Sequence, residues 1–141
     1  MNIKTMKSPA ILRLLLLVSG IIAIGIACAI LFAPQAFYAS YGIEMGSNAN
    51  LTNELKAPSG ALLAAGLLML AGAFISELTF ISTTTAAVVY LSYGLSRLSS
   101  MAIDGLPDAA LISAAIFELI IGTVCALALF HFHKTKQINL K

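Results

Sequence analysis

Residues 11–32 read ILRLLLLVSGIIAIGIACAILF, an apolar run broken by one arginine near its start. A helix needs about 20 mostly apolar residues to cross the hydrocarbon core of a bilayer, and this run supplies them. It is no barrel strand, which would alternate apolar and polar residues over about ten positions. Three further runs follow, from about Ala57 to Ile81, Thr83 to Ile103 and Ala109 to Phe132. The segment 33–56 between the first two is polar. The expected fold is all-α: an integral-membrane four-helix bundle, antiparallel and up-down, filling residues 1–141 as a single transmembrane domain.

Composition agrees. Of 141 residues, 60% are hydrophobic and 10% charged, and the mean hydropathy is +0.97. A soluble domain carries about 25% charged residues, and a soluble fold this small leaves much of its surface in water. The net charge of +2 comes from basic residues at the two ends, which is an orientation signal and not a nucleic-acid footprint. Lys4, Lys7 and Arg13 flank the first span, and Lys134, Lys136 and Lys141 follow the fourth. Both termini are therefore expected on the cytoplasmic side, with the 33–56 loop and the Asp104–Asp108 turn outside. Phe37, Tyr38 and Tyr41 suit the outer aromatic belt. The N-terminus also admits a secretory signal peptide with Ala27-Cys28-Ala29 at the cleavage position. Its apolar stretch exceeds the usual 7–15 residues, so a true span is expected.

The turn Asp104-Gly105-Leu106-Pro107-Asp108 separates spans three and four. Gly105 suits a C-terminal helix cap, Pro107 a first helical position, and Asp108 a first turn. Thr83, Thr84 and Thr85 are expected to open span three. Small residues recur at four-residue spacing: Ala57, Ala61 and Ala65 in span two, Ser19, Ala23 and Ala27 in span one, and Gly122 and Ala126 in span four. Such stripes let helices approach closely in lipid, either within the bundle or in a homo-oligomer.

The residues that carry chemistry are the charges inside the spans, because each costs a few kcal/mol to bury in lipid. Arg97 lies ~10 Å inside span three and Glu118 ~16 Å inside span four at 1.5 Å per residue. Positions 97, 100, 101 and 104 share one helical face, so Arg97, Ser100 and Asp104 point the same way. Glu54 and Lys56 stand at the entry to span two, and Glu54, Ala57, Pro58, Ala61 and Ala65 share a face there. The expected site is a polar pocket open to the outside, walled by the outer halves of spans two, three and four. Its ligand-binding residues are Glu54, Lys56, Tyr93, Arg97, Ser100, Asp104 and Glu118. The competing reading is an Arg97–Glu118 bridge that only fixes helix register. His131 and His133 face different sides of a helix, and Cys28 and Cys125 lie near opposite ends of the bundle. No metal site, cofactor or catalytic residue is expected, and no phosphate loop, nucleophile elbow or zinc signature occurs.

The segments NELKAPSGALLAAG and YGLSRLSSMAIDGLPDAALISAAIFELIIG resemble a family of small bacterial inner-membrane proteins known only as a domain of unknown function. The resemblance implies a four-span chain with a Glu-x-basic-Ala entry (Glu54, Lys56, Ala57), an Arg…Asp-Gly-x-Pro element (Arg97, Asp104, Gly105, Pro107) and a Glu in the last span (Glu118). The basic position is more usually arginine in that family, and lysine at 56 lacks the bidentate fork. The resemblance implies the bacterial inner membrane as location and brings no known reaction.

Three functions stay open. The leading one is binding of a small polar or amphiphilic ligand or a lipid headgroup in the outer-leaflet pocket, associated with transport. The second is an accessory subunit of a membrane complex, its charges locking the bundle. The third, a membrane enzyme using the carboxylates as acid and base, is weaker because no catalytic arrangement accompanies them. Expected partners are the bilayer, a lipid or small molecule, and a second copy or membrane partner; nucleic acid is not one.

Overall fold

In the computed structural model, residues 10–138 are described, with side chains through His131. Lys4, Lys7, Lys141 and the side chains of His133, Lys134 and Lys136 lie outside the described residues. The elements are α1 (Ala10–Phe32), α2 (Pro34–Ala39), α3 (Ala49–Phe74), a single 3₁₀ turn (Ser76–Leu78), α4 (Thr79–Ile103) and α5 (Ala109–Ile138). Among the described residues there is no strand. The four long helices are long and apolar enough to cross a membrane, and the chain is a multi-pass membrane protein built on helices.

Each span buries a narrow stripe and turns apolar side chains outward. In α1 the buried residues are Leu12, Leu16, Ser19, Gly20, Ala23, Ala27 and Ile30, the 3.6-residue recurrence of one helical face. In α4 they are Thr79, Ser82, Thr83, Ala86, Ala87, Tyr90 and Gly94, the same recurrence filled with small and hydroxylated residues. Leu14, Ile21, Leu67, Leu95, Ile116 and Leu127 face outward. In water such a surface would aggregate, and in lipid it is the solvent-facing side.

Small residues set the close contacts. A Cβ added at Gly66 would lie 2.8 Å from Cγ1 of Ile24, and one at Gly20 would lie 2.9 Å from the Gly66 carbonyl. A Cβ at Gly122 would lie 2.8 Å from the Leu91 backbone nitrogen, and one at Gly94 the same distance from Cδ2 of Leu119. Between α3 and α4, Thr79 Oγ1 donates to the Gly72 carbonyl at 2.9 Å and Ser82 Oγ to that of Leu68 at 2.6 Å. In lipid, packing and such hydrogen bonds replace the hydrophobic drive between helices. Around Leu16 and Met69, the core gathers Ala73, Ala86, Ala87, Tyr90, Ile121 and Cys125.

Helix boundaries differ from the sequence expectation in instructive ways. Helix α3 begins at Ala49, not Ala57, because Asn48 caps it: its side-chain oxygen accepts from the amides of Asn50 and Leu51 at 3.0 and 3.2 Å. The added residues 49–56 mix Leu51 and Leu55 with Asn50, Thr52, Asn53, Glu54 and Lys56, so hydropathy misses them. The same helix ends at Phe74 and not at Ile81, which moves Glu77 from a span into the 3₁₀ turn. Thr83, Thr84 and Thr85 do not open span three, since α4 starts at Thr79. Thr83 and Thr84 donate to the carbonyls of Thr79 and Phe80 one turn back, at 2.7 and 3.0 Å. Pro107 precedes α5 and is not its first residue; Asp108 caps that helix, accepting from the Ala110 amide at 2.8 Å. Gly105 follows the end of α4 at φ +102°, the left-handed region that favours glycine at a C-terminal cap.

Of the stripe Ala57, Ala61 and Ala65, the first two are exposed and Ala65 is half-buried against the core; the fully buried residues of α3 are Ser59, Gly66, Met69, Gly72 and Ala73. The helix is rotated relative to expectation because Gly66 and Gly72 make the tightest approaches, to α1 and α4.

Candidate functional site

The charged pair expected from sequence is formed. Arg97 Nε donates to Glu118 Oε2 at 2.9 Å, with the side chains 33% and 13% exposed. The register follows from helix pairing: Leu91 meets Gly122, Gly94 meets Leu119, and Arg97 meets Glu118. As position rises along α4 it falls along α5, so one residue pairing fixes the others. The glycines let the two backbones close far enough for a short contact.

The bond uses one donor of the guanidinium. Neither Nη has a protein partner among the described residues. Arginine presents five N–H donors in a rigid fork, so most of this cation is unspent. No buried side-chain nitrogen or oxygen lacks a partner among the described residues. The second oxygen of Glu118 is therefore reachable and not sealed in protein.

Both residues line a cavity of about 350 Å³. It occupies the end of the bundle where α1 ends, α3 begins, α4 ends and α5 begins. Ile26 and Ile30 of α1, Leu55 and Leu62 of α3, and Val89 and Leu111 supply apolar walls, and Ser59, Tyr90, Tyr93, Arg97 and Glu118 supply polar atoms. A small-ligand site typically pairs apolar walls with a few placed polar groups in about 300–1,000 Å³.

The cavity has a wall the sequence reading did not assign. Phe37 and Tyr38 of α2, with Tyr41 and Ile43 of the following turn, line it. The Phe37 ring meets those of Tyr38 and Tyr41 edge-on, with centroids 5.3 and 5.4 Å apart, so the three aromatics form one cluster. Burial raises the Tyr38 phenol above its ordinary pKa, the neighbouring Tyr93 adds to the rise, and Arg97 opposes it. Tyr38 therefore keeps its proton and can donate. The hydroxyls of Tyr38, Tyr41 and Tyr93 make no hydrogen bond among the described residues. That of Tyr90 is spent, donating to the Ser19 carbonyl at 2.7 Å.

Pro58 and Ser59 line the cavity from α3. Pro58 has no N–H to offer the carbonyl four residues back, and Ser59 Oγ donates to the Leu55 carbonyl at 3.0 Å. Proline inside a membrane helix is tolerated where side chains and neighbouring helices satisfy the backbone.

Of the seven sequence-nominated site residues, Tyr93, Arg97 and Glu118 come together at the cavity; Glu54, Lys56, Ser100 and Asp104 do not line it. Ser100 Oγ donates to Asp104 Oδ2 at 2.9 Å on the exposed end of α4, away from the cavity lining. The expected three-helix pocket also gains α1 and α2 as walls. Sequence reading placed Tyr38 and Tyr41 in an interfacial belt, and nothing local marks them as lining a pocket. Among the described residues, no group of three His, Cys, Asp or Glu side chains could hold a metal ion. Cys28 and Cys125 are both free thiols.

No curated protein and no solved structure matches the chain. Residues 11–129 match the model of a family described as a domain of unknown function, DUF4345. The match runs through all four spans and takes in the charged pair, and the chain belongs to this family.

Proposed function

We propose that this protein binds a small amphiphile inside one leaflet of the membrane, its polar head at Arg97 and Glu118 and its apolar part against the walls of α1 and α3. Any part it takes in transport begins with that binding. The observation that carries the reading is the unspent guanidinium fork of Arg97, which faces no protein partner beside a largely apolar cavity. A charge is expensive at this depth, and a purely structural bridge gains nothing from leaving most of its donors unused. The descending register between α4 and α5 supports an antiparallel, up-down arrangement within a single transmembrane domain. The Lys/Arg distribution supports cytoplasmic termini and a pocket in the outer leaflet, and the family resemblance supports a bacterial inner membrane.

The test is extraction in mild detergent followed by mass spectrometry of whatever small molecule remains bound. The wild-type chain retains an amphiphile, and Arg97→Ala loses it. A ligand-free wild-type chain whose thermal midpoint is unmoved by every amphiphile offered would refute the reading.

A second reading has its own support, because the Nε–Oε2 bond neutralises both charges without a ligand. On that reading the protein is an accessory subunit, and the pair sets the α4–α5 register. An Arg97→Glu, Glu118→Arg exchange separates the two: a register lock survives it in folding and function, whereas a binding site folds but loses its ligand.

A further inference from the structure

We infer that the head this pocket takes is a zwitterion, an anionic oxygen beside a primary ammonium as in an aminophospholipid head. The inference rests on the amphiphile-binding reading and narrows it to a chemical class. Arg97 and Glu118 bring one charge of each sign to the cavity, so the empty site is neutral. A simple anion entering it would leave a net negative charge in low dielectric, and a simple cation a net positive one. Burying an uncompensated charge is the costly case. A zwitterion keeps the sum at zero.

The placement of donors and acceptors agrees. The two free Nη groups of Arg97 suit a phosphate or carboxylate oxygen, which arginine binds in a bidentate fork. The reachable oxygen of Glu118 accepts from an ammonium N–H. Tyr38 and Tyr93 add hydroxyl donors for the anionic oxygen, and tyrosine ring faces attract cations at close range. Apolar side chains such as Ile26 and Leu62, which line the same cavity, suit the start of an acyl chain. A phospholipid with an ethanolamine head carries every one of these features. Soluble phosphoethanolamine carries the head alone.

The experiment uses the full chain in nanodiscs of phosphatidylethanolamine and phosphatidylglycerol in equal amounts with matched acyl chains. Native mass spectrometry then reads which lipid stays bound. The expected result is roughly tenfold enrichment of the ethanolamine lipid, the ratio that one desolvated charge contact supplies. Glu118→Gln brings the ratio near parity. Should that variant not fold, the wild-type competition alone decides. Parity or preference for phosphatidylglycerol in the wild type overturns the zwitterion while leaving the amphiphile reading intact. Retention of neither lipid, with no retention of soluble phosphoethanolamine, removes both. Retention of phosphoethanolamine as tight as that of the lipid supports the zwitterion and assigns its source to water.

Discussion

Arg97 holds Glu118 through Nε alone, at 2.9 Å, and this single bond joins the two helices that carry the cavity's only neutralised pair of charges among the described residues. Removing one partner strands the other, whereas removing both strands nothing. Breaking a buried pair costs 3–5 kcal/mol, and partial exposure of the guanidinium reduces this to about 1–3 kcal/mol. We expect Arg97→Leu and Glu118→Leu each to lower the thermal midpoint in detergent. The double variant should be more stable than the sum of the two losses. Strict additivity would mean that the two side chains do not interact in the folded protein.

Helix approach gives a prediction with an internal control. A side chain at Gly122 meets the Leu91 backbone, and one at Gly60 meets nothing within 4 Å. Gly122→Leu forces α4 and α5 apart and should cost about 1–3 kcal/mol, as overpacking does. Gly60→Leu should change stability by no more than about 0.5 kcal/mol, as substitutions away from packed sites do. Equal loss in the two variants, read from unfolding of the purified protein, would contradict the packing described.

The spans were legible in the sequence because lipid imposes a simple rule: twenty apolar residues in a row leave few alternatives. The Arg97–Glu118 pair was legible for the complementary reason, since charges are rare inside such runs. Rotation was not legible. Ala57, Ala61 and Ala65 looked like a packing stripe, yet of the three only Ala65 packs against the core, and Gly66 and Gly72 make the close approaches of α3. When nearly every position is apolar, periodicity carries little information about facing. The wall contributed by Tyr38 and Tyr41 escaped notice because it depends on the chain folding back after α1.

The positions of the nominated residues separate two groups for binding. Asp104 accepts from Ser100 at the exposed end of α4, and none of Asp104, Glu54 and Lys56 lines the cavity. Asp104→Asn and Glu54→Gln should leave the retained amphiphile unchanged in amount and identity. Tyr93→Phe removes a free hydroxyl at the cavity and should weaken retention about fivefold, the effect of one net hydrogen bond near 1 kcal/mol. Loss of the ligand in Asp104→Asn with retention in Tyr93→Phe would relocate the site to the helix end.

Tyr90 sits where the core meets the cavity. Its ring packs edge-on against Phe117 at 6.1 Å, and its hydroxyl reaches the Ser19 carbonyl of α1 at 2.7 Å. Tyr90→Phe keeps the ring contact and deletes only the bond to α1. It should destabilise the protein by about 1 kcal/mol without changing which ligand is retained. A change of ligand would place the hydroxyl among the binding groups.

Sidedness follows from the same geometry and can be read in whole cells. The α4–α5 turn lies at the cavity end of the bundle, and Leu106 there is 80% exposed; the 3₁₀ turn holding Ser76 lies at the other end. With Cys28→Ser and Cys125→Ala as background, a cysteine at 106 should react with a membrane-impermeant maleimide added outside. A cysteine at 76 should react only after the membrane is opened. The basic residues flanking the spans favour this orientation because Lys and Arg are held on the cytoplasmic side. The opposite labelling pattern would turn the bundle over, place the cavity in the inner leaflet, and make the cytoplasm the source of any ligand that enters from water.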